Sequence, residues 1–332
     1  MKYCMSKRLP GLSAALTMVL FGVSQLHAAD WPVKPVSLVV PYTPGSLTDI
    51  MARVVAAPVG QALGQSVVID YKPGQATAIG TRYVAKSPAD GYSMIMQGAS
   101  TVAVANLLNP EAGYSIDDFD SVAIVGLSPL AMAVRANLPA KNVTELIALA
   151  KAKPGSLTYA ASGNGGVGHL ATSLFSKMAG LTQQSIIMIP YKGSADAIID
   201  LMGGRVDMQI SVLAPTLGAV RKGQLRILGV ASLKRQAVLP DVPTISEAGV
   251  PGYEVVSSLG MLVRRGTPAG SIRTLNQAFN KALAEPEVKE AFAKQGIAAA
   301  EQNAPRAFGE EIRKEVDKYG PVIREYGIKA DS

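Results

Sequence analysis

Hydrophobic and polar positions alternate between two periods along this 332-residue chain. Short apolar, β-branched runs at 36–41 (VSLVVP), 66–71 (SVVIDY) and 92–97 (YSMIMQ) predict buried strands. Helical spacing fills the gaps over 48–63 and 76–85. Pro44-Gly45-Ser46 precedes the first helix and Lys72-Pro73-Gly74 the second. The middle of the chain repeats the plan, with a strand at 157–161, the loop SGNGGVGH at 162–169 and a helix at 170–179. A strand at 185–191 (SIIMIPY), the turn Lys192-Gly193-Ser194, a helix at 195–202 and a strand at 206–211 complete it. Strands alternating with helices imply parallel β-α-β units and an α/β class.

Two landmarks recur at a constant offset of 120 residues, Gly45 with Gly165 and Tyr71-Lys72 with Tyr191-Lys192. Two pairs in the same order of elements predict two Rossmann-like lobes built alike. Apolar segments at 121–133 and 255–263 are expected to cross between the lobes and back. The stretch 270–319 has helical periodicity broken at Pro286 and Pro305, carries no glycine loop of its own, and is expected to pack around the first lobe. The resulting division is a first lobe of 29–127 with 256–332, and a second of 128–255.

Residues 1–28 read differently. Lys2, Lys7 and Arg8 precede an apolar stretch that ends at Leu26-His27-Ala28, the pattern of a secretory signal peptide cleaved near Ala28. The expectation is an exported, periplasmic protein. The one cysteine, Cys4, sits ahead of the apolar stretch, so the mature chain has no thiol chemistry or disulfide. Losing the leader lowers the formal net charge from +7 to +4, because it holds three basic residues and no acid. The remaining basic residues are scattered and form no run interleaved with aromatics, which argues against nucleic acid as a partner.

A glycine turn between a strand and a helix presents main-chain N–H groups, and the helix dipole adds about half a positive charge there. Two such loops facing each other across a cleft would clamp an anion. Gly163, Gly165 and Gly168 also fit G-x-G-x-x-G, but a dinucleotide site needs an acid about 20 residues on, and the following strand ends Ile189-Pro190-Tyr191-Lys192. His169 is the one histidine beyond the leader, which removes most metal-site and triad options. His169 reads either as a first-turn residue that bonds the loop or as a ligand contact. Asp49, at the same place in the first lobe, reads as a partner for helix-end N–H groups or as a contact. Tyr42 and Tyr191 flank the loops, and Ser46, Thr48, Ser100, Thr101 and Ser194 offer hydroxyls near strand ends. A hydrolase using Ser162 or Ser194 with His169 is the enzymatic alternative, although no G-x-S-x-G elbow is present.

The stretches WPVKPVSLVVPYTPGSLTDIMARVVA, YAASGNGGVGHLA, PYKGSADAIIDLMGGRVDM and LPDVPTISEAGVPGYE together resemble the TctC/Bug family of solute-binding proteins of tripartite tricarboxylate transporters. The resemblance runs from about Trp31 to the C-terminus. It implies a periplasmic-binding-protein fold of type II, with a hinge and an interlobe cleft, no catalytic activity and no cofactor. It also implies a carboxylate ligand (a di- or tricarboxylate, aromatic acid or amino acid), delivery to membrane transporter subunits, and a monomer. A ligand-loaded partner of a membrane sensor kinase is a second output for the same fold. Carried onto this chain, the first binding loop supplies Tyr42, Pro44, Gly45, Ser46, Thr48 and Asp49. The second supplies Ser162, Gly163, Asn164, Gly165, Gly166 and His169. Gln97, Ser100 and Thr101 at a strand end, with Tyr191, Gly193 and Ser194 at a turn, complete the expected pocket. Three departures from the family pattern stand out: Ser46 where a second glycine is usual, Ser258 where a tryptophan is usual nearby, and Arg264-Arg265 in place of a small apolar pair.

Overall fold

Each strand-to-helix junction carries its own stop and start signals. In the first half, β1 (Val36–Val40) leads through the 41–46 loop into α1 (Leu47–Leu63). Ser46 caps that helix, its Oγ accepting from Asp49 N at 3.2 Å, and Gly64 ends it in the left-handed region at φ +68°. Met51, Val55 and Val59, four residues apart, form its fully buried face. Then come β2 (Val67–Tyr71), α2 (Ala78–Ala85), β3 (Ser93–Gly98) and α3 (Ala99–Leu108). A 17-residue strand, β4 (Phe119–Arg135), leaves this half for the next. There α4 (Val143–Ala152), β5 (Leu157–Ala161), α5 (Val167–Met178), β6 (Ile186–Pro190), α6 (Ser194–Met202), β7 (Met208–Val212), α7 (Leu217–Arg221) and β8 (Leu225–Val230) follow in order. The chain returns through β9 (Val256–Arg264) and ends with α8 (Ala269–Ala284), α9 (Pro286–Ala293), the short β10 (Ala298–Ala299) and α10 (Ala307–Tyr326).

This computed structural model describes residues 1–3, 31–75, 77–108, 112–161, 165–191 and 194–329. The expected leader therefore lies almost wholly outside the described residues. Met1–Trp31 and Pro32–Ser332 are separate units, and the fold concerns the second.

Strand β4 belongs to two sheets. Its residues 119–129 pair antiparallel with β9, and 130–135 pair antiparallel with β7 and β8. The first sheet runs β2-β1-β3-β9-β4, with β1 parallel to both neighbours. The second continues β4-β7-β5-β6, with β5 parallel to both of its neighbours. The architecture is thus two α/β lobes joined by long antiparallel crossings, as the alternating pattern implied. Each lobe has its own core. Val39, Ile95, Phe119, Leu262 and Phe308 pack together in the first, and Met132, Tyr159, Phe175, Ile210 and Tyr253 in the second.

The C-terminal helices depart from expectation. Helices α8 and α9 lie against α1, but α10 packs on α3 and on α5, so it spans both lobes. Val104 and Leu108 of α3, Leu170 of α5, and Tyr319 and Ile323 of α10 form one apolar cluster. Lys177 of α5 pairs with Glu325, and Gln183 Nε2 donates to Tyr326 O at 2.7 Å. The amphipathic stripe of 307–326 was readable, but the stripe does not say which partner covers it. Where α10 crosses β9, the α-carbon of Gly260 faces the Phe308 ring; an added Cβ would stand 2.3 Å from ring carbons and 2.7 Å from Ala123 O.

Gly260→Ala should therefore destabilise the protein by about 1–3 kcal/mol, the usual cost of overpacking. Urea denaturation would measure it; an unchanged midpoint would show that α10 shifts freely off β9.

Candidate functional site

The first glycine loop is held by a carboxylate. Gly45 sits at φ +85°, a conformation glycine adopts without penalty, and donates its N–H to Asp49 Oδ2 at 2.7 Å. The other oxygen of Asp49 accepts from Arg53 Nε at 2.7 Å and from the Tyr71 hydroxyl at 2.6 Å. Arg53 Nη2 in turn donates to the Tyr71 hydroxyl at 2.7 Å. Asp49 is 4% exposed. Burial pushes its carboxyl pKa up, but the bonds from Gly45 N–H, Tyr71 and Arg53 outweigh that and hold it below the ordinary value. Asp49 thus serves as a partner for a loop N–H at the helix end, one of the two roles the sequence left open for it.

The second loop uses the same construction with a different acceptor. Gly165 is at φ +75° and donates its N–H to His169 Nδ1 at 3.1 Å. In both lobes a left-handed glycine turns its amide onto the side chain four residues later, in the first turn of the following helix. The caps match too, Ser46 at φ −69°, ψ 163° and Gly166 at φ −61°, ψ 156°. The 120-residue offset therefore extends from Gly45/Gly165 through Ser46/Gly166 to Asp49/His169. One expectation needs correcting: the amides of Gly45 and Gly165 are themselves engaged inside their loops. In the residues just after them, helix geometry leaves the first N–H groups of α1 and α5 without an intrahelical acceptor.

The third glycine of the G-x-G-x-x-G stretch has a packing role. A Cβ on Gly168 would stand 2.9 Å from Ile210 O, so its absence lets α5 lie close on β7. Gly165 also brings the lobes together. A Cβ there would fall 1.7 Å from Leu108 Cδ1 and 3.6 Å from Val104 Cγ1, both on α3 of the first lobe. The N-terminal turn of α3 holds Thr101, whose Oγ1 lies 3.2 Å from the Tyr42 hydroxyl. Thr101 and Leu108 are separated by about 10 Å of helix. Through α3 the structure thus links Tyr42 of the first loop with Gly165 of the second.

Gln97 departs from its expected role as a contact. It is fully buried, donating to Thr81 Oγ1 at 2.8 Å and Thr77 Oγ1 at 3.1 Å, while its Oε1 accepts from Gly98 N at 3.3 Å and the Tyr42 hydroxyl at 3.4 Å. It supports the Tyr42–Thr101 pair from behind. Burial raises the Tyr42 phenol to about 12, with the Thr101 bond opposing. Thr48 and Ser100 are buried, Pro44 and Gly45 exposed, and Ser46 spends its Oγ on the helix cap. Tyr191 donates to Asp200 Oδ2 at 2.9 Å and packs beside the apolar cluster under α6. Ser162, Gly163, Asn164 and Gly193 lie outside the described residues, as does the side chain of Ser194. Arg53, Tyr71, Thr77 and Thr81 were not anticipated as site-supporting residues. Arg53 was within reach of the sequence, standing four residues after Asp49 on one helix face.

Arg264 and Arg265 are remote from the loops. Arg264 pairs with Phe119 at the start of β4 and donates to Ser87 O at 2.6 Å, and Arg265 reaches Asp117, all at the sheet end opposite the 41–46 loop.

A family model, the tripartite tricarboxylate transporter family receptor, matches residues 51–328. The chain belongs to that receptor family. BugT of Bordetella pertussis is 37% identical over 315 residues, covering 93% of this chain and 94% of BugT. A protein of R. palustris solved with adipate is 36% identical with a TM-score of 0.84, covering 90% of this chain and 99% of the other. MatC of Rhodopseudomonas palustris, solved with bound malate, is 28% identical with a TM-score of 0.80, covering 88% and 99%. Solved periplasmic binding proteins share the two-lobed α/β fold. Members of this receptor family bind solutes and are not enzymes, which disposes of the hydrolase alternative. Among the described residues no helix is long and apolar enough to cross a membrane.

Gly165→Ala should perturb the second loop twice over, through the clash with Leu108 and through the strained φ. Adding Leu108→Ala should recover part of the lost stability in a double-mutant cycle by thermal melting; strict additivity would show that the two residues do not touch. Asp49→Asn should cost about 1–3 kcal/mol at neutral pH. Because the folded carboxyl titrates below the unfolded one, the unfolded chain binds the extra proton and the wild-type advantage fades as pH falls below about 4. Stability curves for both proteins across that range would check it; a gap that stays constant into strong acid would reject the ionised role.

Proposed function

We propose that this receptor captures a small organic carboxylate between the 42–49 and 162–169 loops and delivers it to the membrane subunits of a tripartite tricarboxylate-type transporter. The observation that carries the reading is the matched pair of helix N-termini, α1 and α5, each opened by a left-handed glycine locked to the residue four places on. Such ends attract anions without a dedicated arginine. Relatives solved with adipate and with malate support a dicarboxylate, di-anionic at neutral pH. In this reading the lobes are 29–127 with 256–332, and 128–255, closing about the crossings β4 and β9. Tyr42, Ser46, Thr101 and the α5 N-terminus face the ligand, and Asp49, Gln97 and His169 stand behind them as supports. The chain is exported, loses residues 1–28 and works as a monomer.

Thermal shift and calorimetry with adipate, malate, benzoate and glutamate test the ligand class. The expected result is that at least one stabilises the protein by about 2.7 kcal/mol at a hundred times its dissociation constant. Binding only to uncharged solutes, with no response to any carboxylate, would overturn it.

A further inference from the structure

A helix that packs on a sheet buries an apolar stripe at positions three and four apart. Helix α5 does so with Ala171 and Phe175, which join the core of the second lobe. A second stripe on the same helix, Thr172, Ser173 and Ser176, is equally buried but polar. Thr172 spends its hydroxyl on Gly168 O at 2.8 Å. Ser173 and Ser176 are each 6% exposed, and their Oγ atoms have no hydrogen-bond partner among the described residues. Tyr159 of β5 is also 6% exposed, and burial alone pushes its phenol up, with no hydrogen bond opposing. These three hydroxyls line one cavity of about 360 Å³, a size typical of small-molecule sites. Buried hydroxyls are costly to leave unsatisfied, so three in one cavity fit an occupant that bonds them.

We propose that this cavity is a second binding site, separate from the glycine loops, for a small hydroxylated organic acid. Its walls are fixed. Helix α5 and β6 form two of them, with Ile186 and Met188 as apolar surface. The segment 326–329 after α10 forms a third. That segment is held by Gln183 Nε2, which donates to Tyr326 O at 2.7 Å, by the Lys177–Glu325 pair, and by Ile328 in the apolar cluster of α3, α5 and α10. The cavity runs from His169 to Ser176, about 10 Å of helix, and on to Ile186 where β6 begins. Ile186 pairs with Leu157 at the amino end of β5, whereas the glycine loop follows Ala161 at the carboxyl end. His169 closes the near end with its Nδ1 already engaged by the Gly165 N–H. The lining selects the ligand. Hydroxyls both donate and accept, so Tyr159, Ser173 and Ser176 match hydroxyls on a ligand. No carboxylate lines the cavity among the described residues, and Lys329 brings a positive charge to its rim. A molecule with hydroxyls along its body and a carboxylate at one end engages all of these groups.

Three probes separate the groups a ligand would need. Gluconate carries a carboxylate and hydroxyls, sorbitol keeps the hydroxyl chain without the charge, and butyrate keeps the charge without hydroxyls. NMR amide shifts report where each binds. Gluconate is expected to move the Ser173, Ser176, Ile186 and Ile328 amides along one saturating curve. Sorbitol should follow about tenfold more weakly, the usual worth of a hydrogen bond to a charged group, and butyrate should leave these amides in place. Lys329→Gln should bring gluconate down to the sorbitol affinity. Ser176→Leu, which fills the cavity, should abolish both curves. Butyrate binding as tightly as gluconate, or gluconate affinity unchanged in Lys329→Gln, would overturn the proposal. So would gluconate shifts confined to residues 42–49 and 165–168, or no saturable shift at the cavity amides, the result expected if water alone fills it. Should Ser176→Leu fail to fold, Lys329→Gln, exposed at the rim, decides. These outcomes judge the cavity whether or not any carboxylate binds at the glycine loops.

Discussion

A glycine amide turned back onto its own helix is the constraint on which the rest of this structure depends. At φ +85° and +75°, Gly45 and Gly165 adopt a backbone that a side chain would strain, and each spends its N–H on the residue four places later. The bond fixes how the chain leaves the strand and enters the helix. It thereby decides where the next N–H groups point. Those N–H groups, together with the aligned peptide dipoles of α1 and α5, make each helix end attractive to an anion. A loop free to rearrange would have to be ordered by the ligand, and that ordering would come out of the affinity.

Duplication of this device across two lobes means little unless the lobes are connected, and three elements connect them. Strand β4 passes from one sheet into the other without a break, so its residues 119–129 and 130–135 belong to different sheets. Strand β9 returns beside it. Helix α10 closes the third side through Tyr319 and Ile323, packed on Val104 of one lobe and Leu170 of the other. Antiparallel crossings bend at small cost because their hydrogen bonds survive a change in twist. Helix α10 adds apolar contacts to α3 and α5 on that side.

Much of this was legible from the residues. The β1–α1 and β5–α5 units announce themselves by β-branched runs, a glycine break and a capping residue, and Leu157–Ala161 falls on the predicted span. Helix α3 carried no expectation. It follows β3 without an intervening loop, so no turn residue marks its start, and its apolar residues surround it rather than forming a stripe. The bond partners of the site were partly hidden for a related reason: Gln97 on β3 is satisfied by Thr77 and Thr81 at the start of α2, and nothing local in the sequence encodes that pairing. The choice between contact and support for Asp49 turned on Tyr71, 22 residues away, whose hydroxyl takes up its Oδ1. Periodicity reports which face of an element is buried. It is silent on which polar atoms meet beneath that face.

The crossing region carries the structure's least settled polar atoms. Ser128 Oγ on β4, Ser258 Oγ on β9 and the Tyr319 hydroxyl on α10 are buried without a hydrogen-bond partner among the described residues, as are Ser211 Oγ and Gln209 Oε1 on β7. Each such group costs about 1–3 kcal/mol relative to a satisfied one. Native cores avoid that cost, and its concentration on β4, β9, β7 and α10 sets these elements apart from the well-bonded loops at the site. Ser258 stands near where the family resemblance leads one to expect an indole, so the loss of apolar bulk and a hydroxyl without a partner among the described residues coincide on β9. The loops at the site are closed by hydrogen bonds from Gly45 to Asp49 and from Gly165 to His169, so polar order is concentrated where α1 and α5 begin rather than in the strands between them.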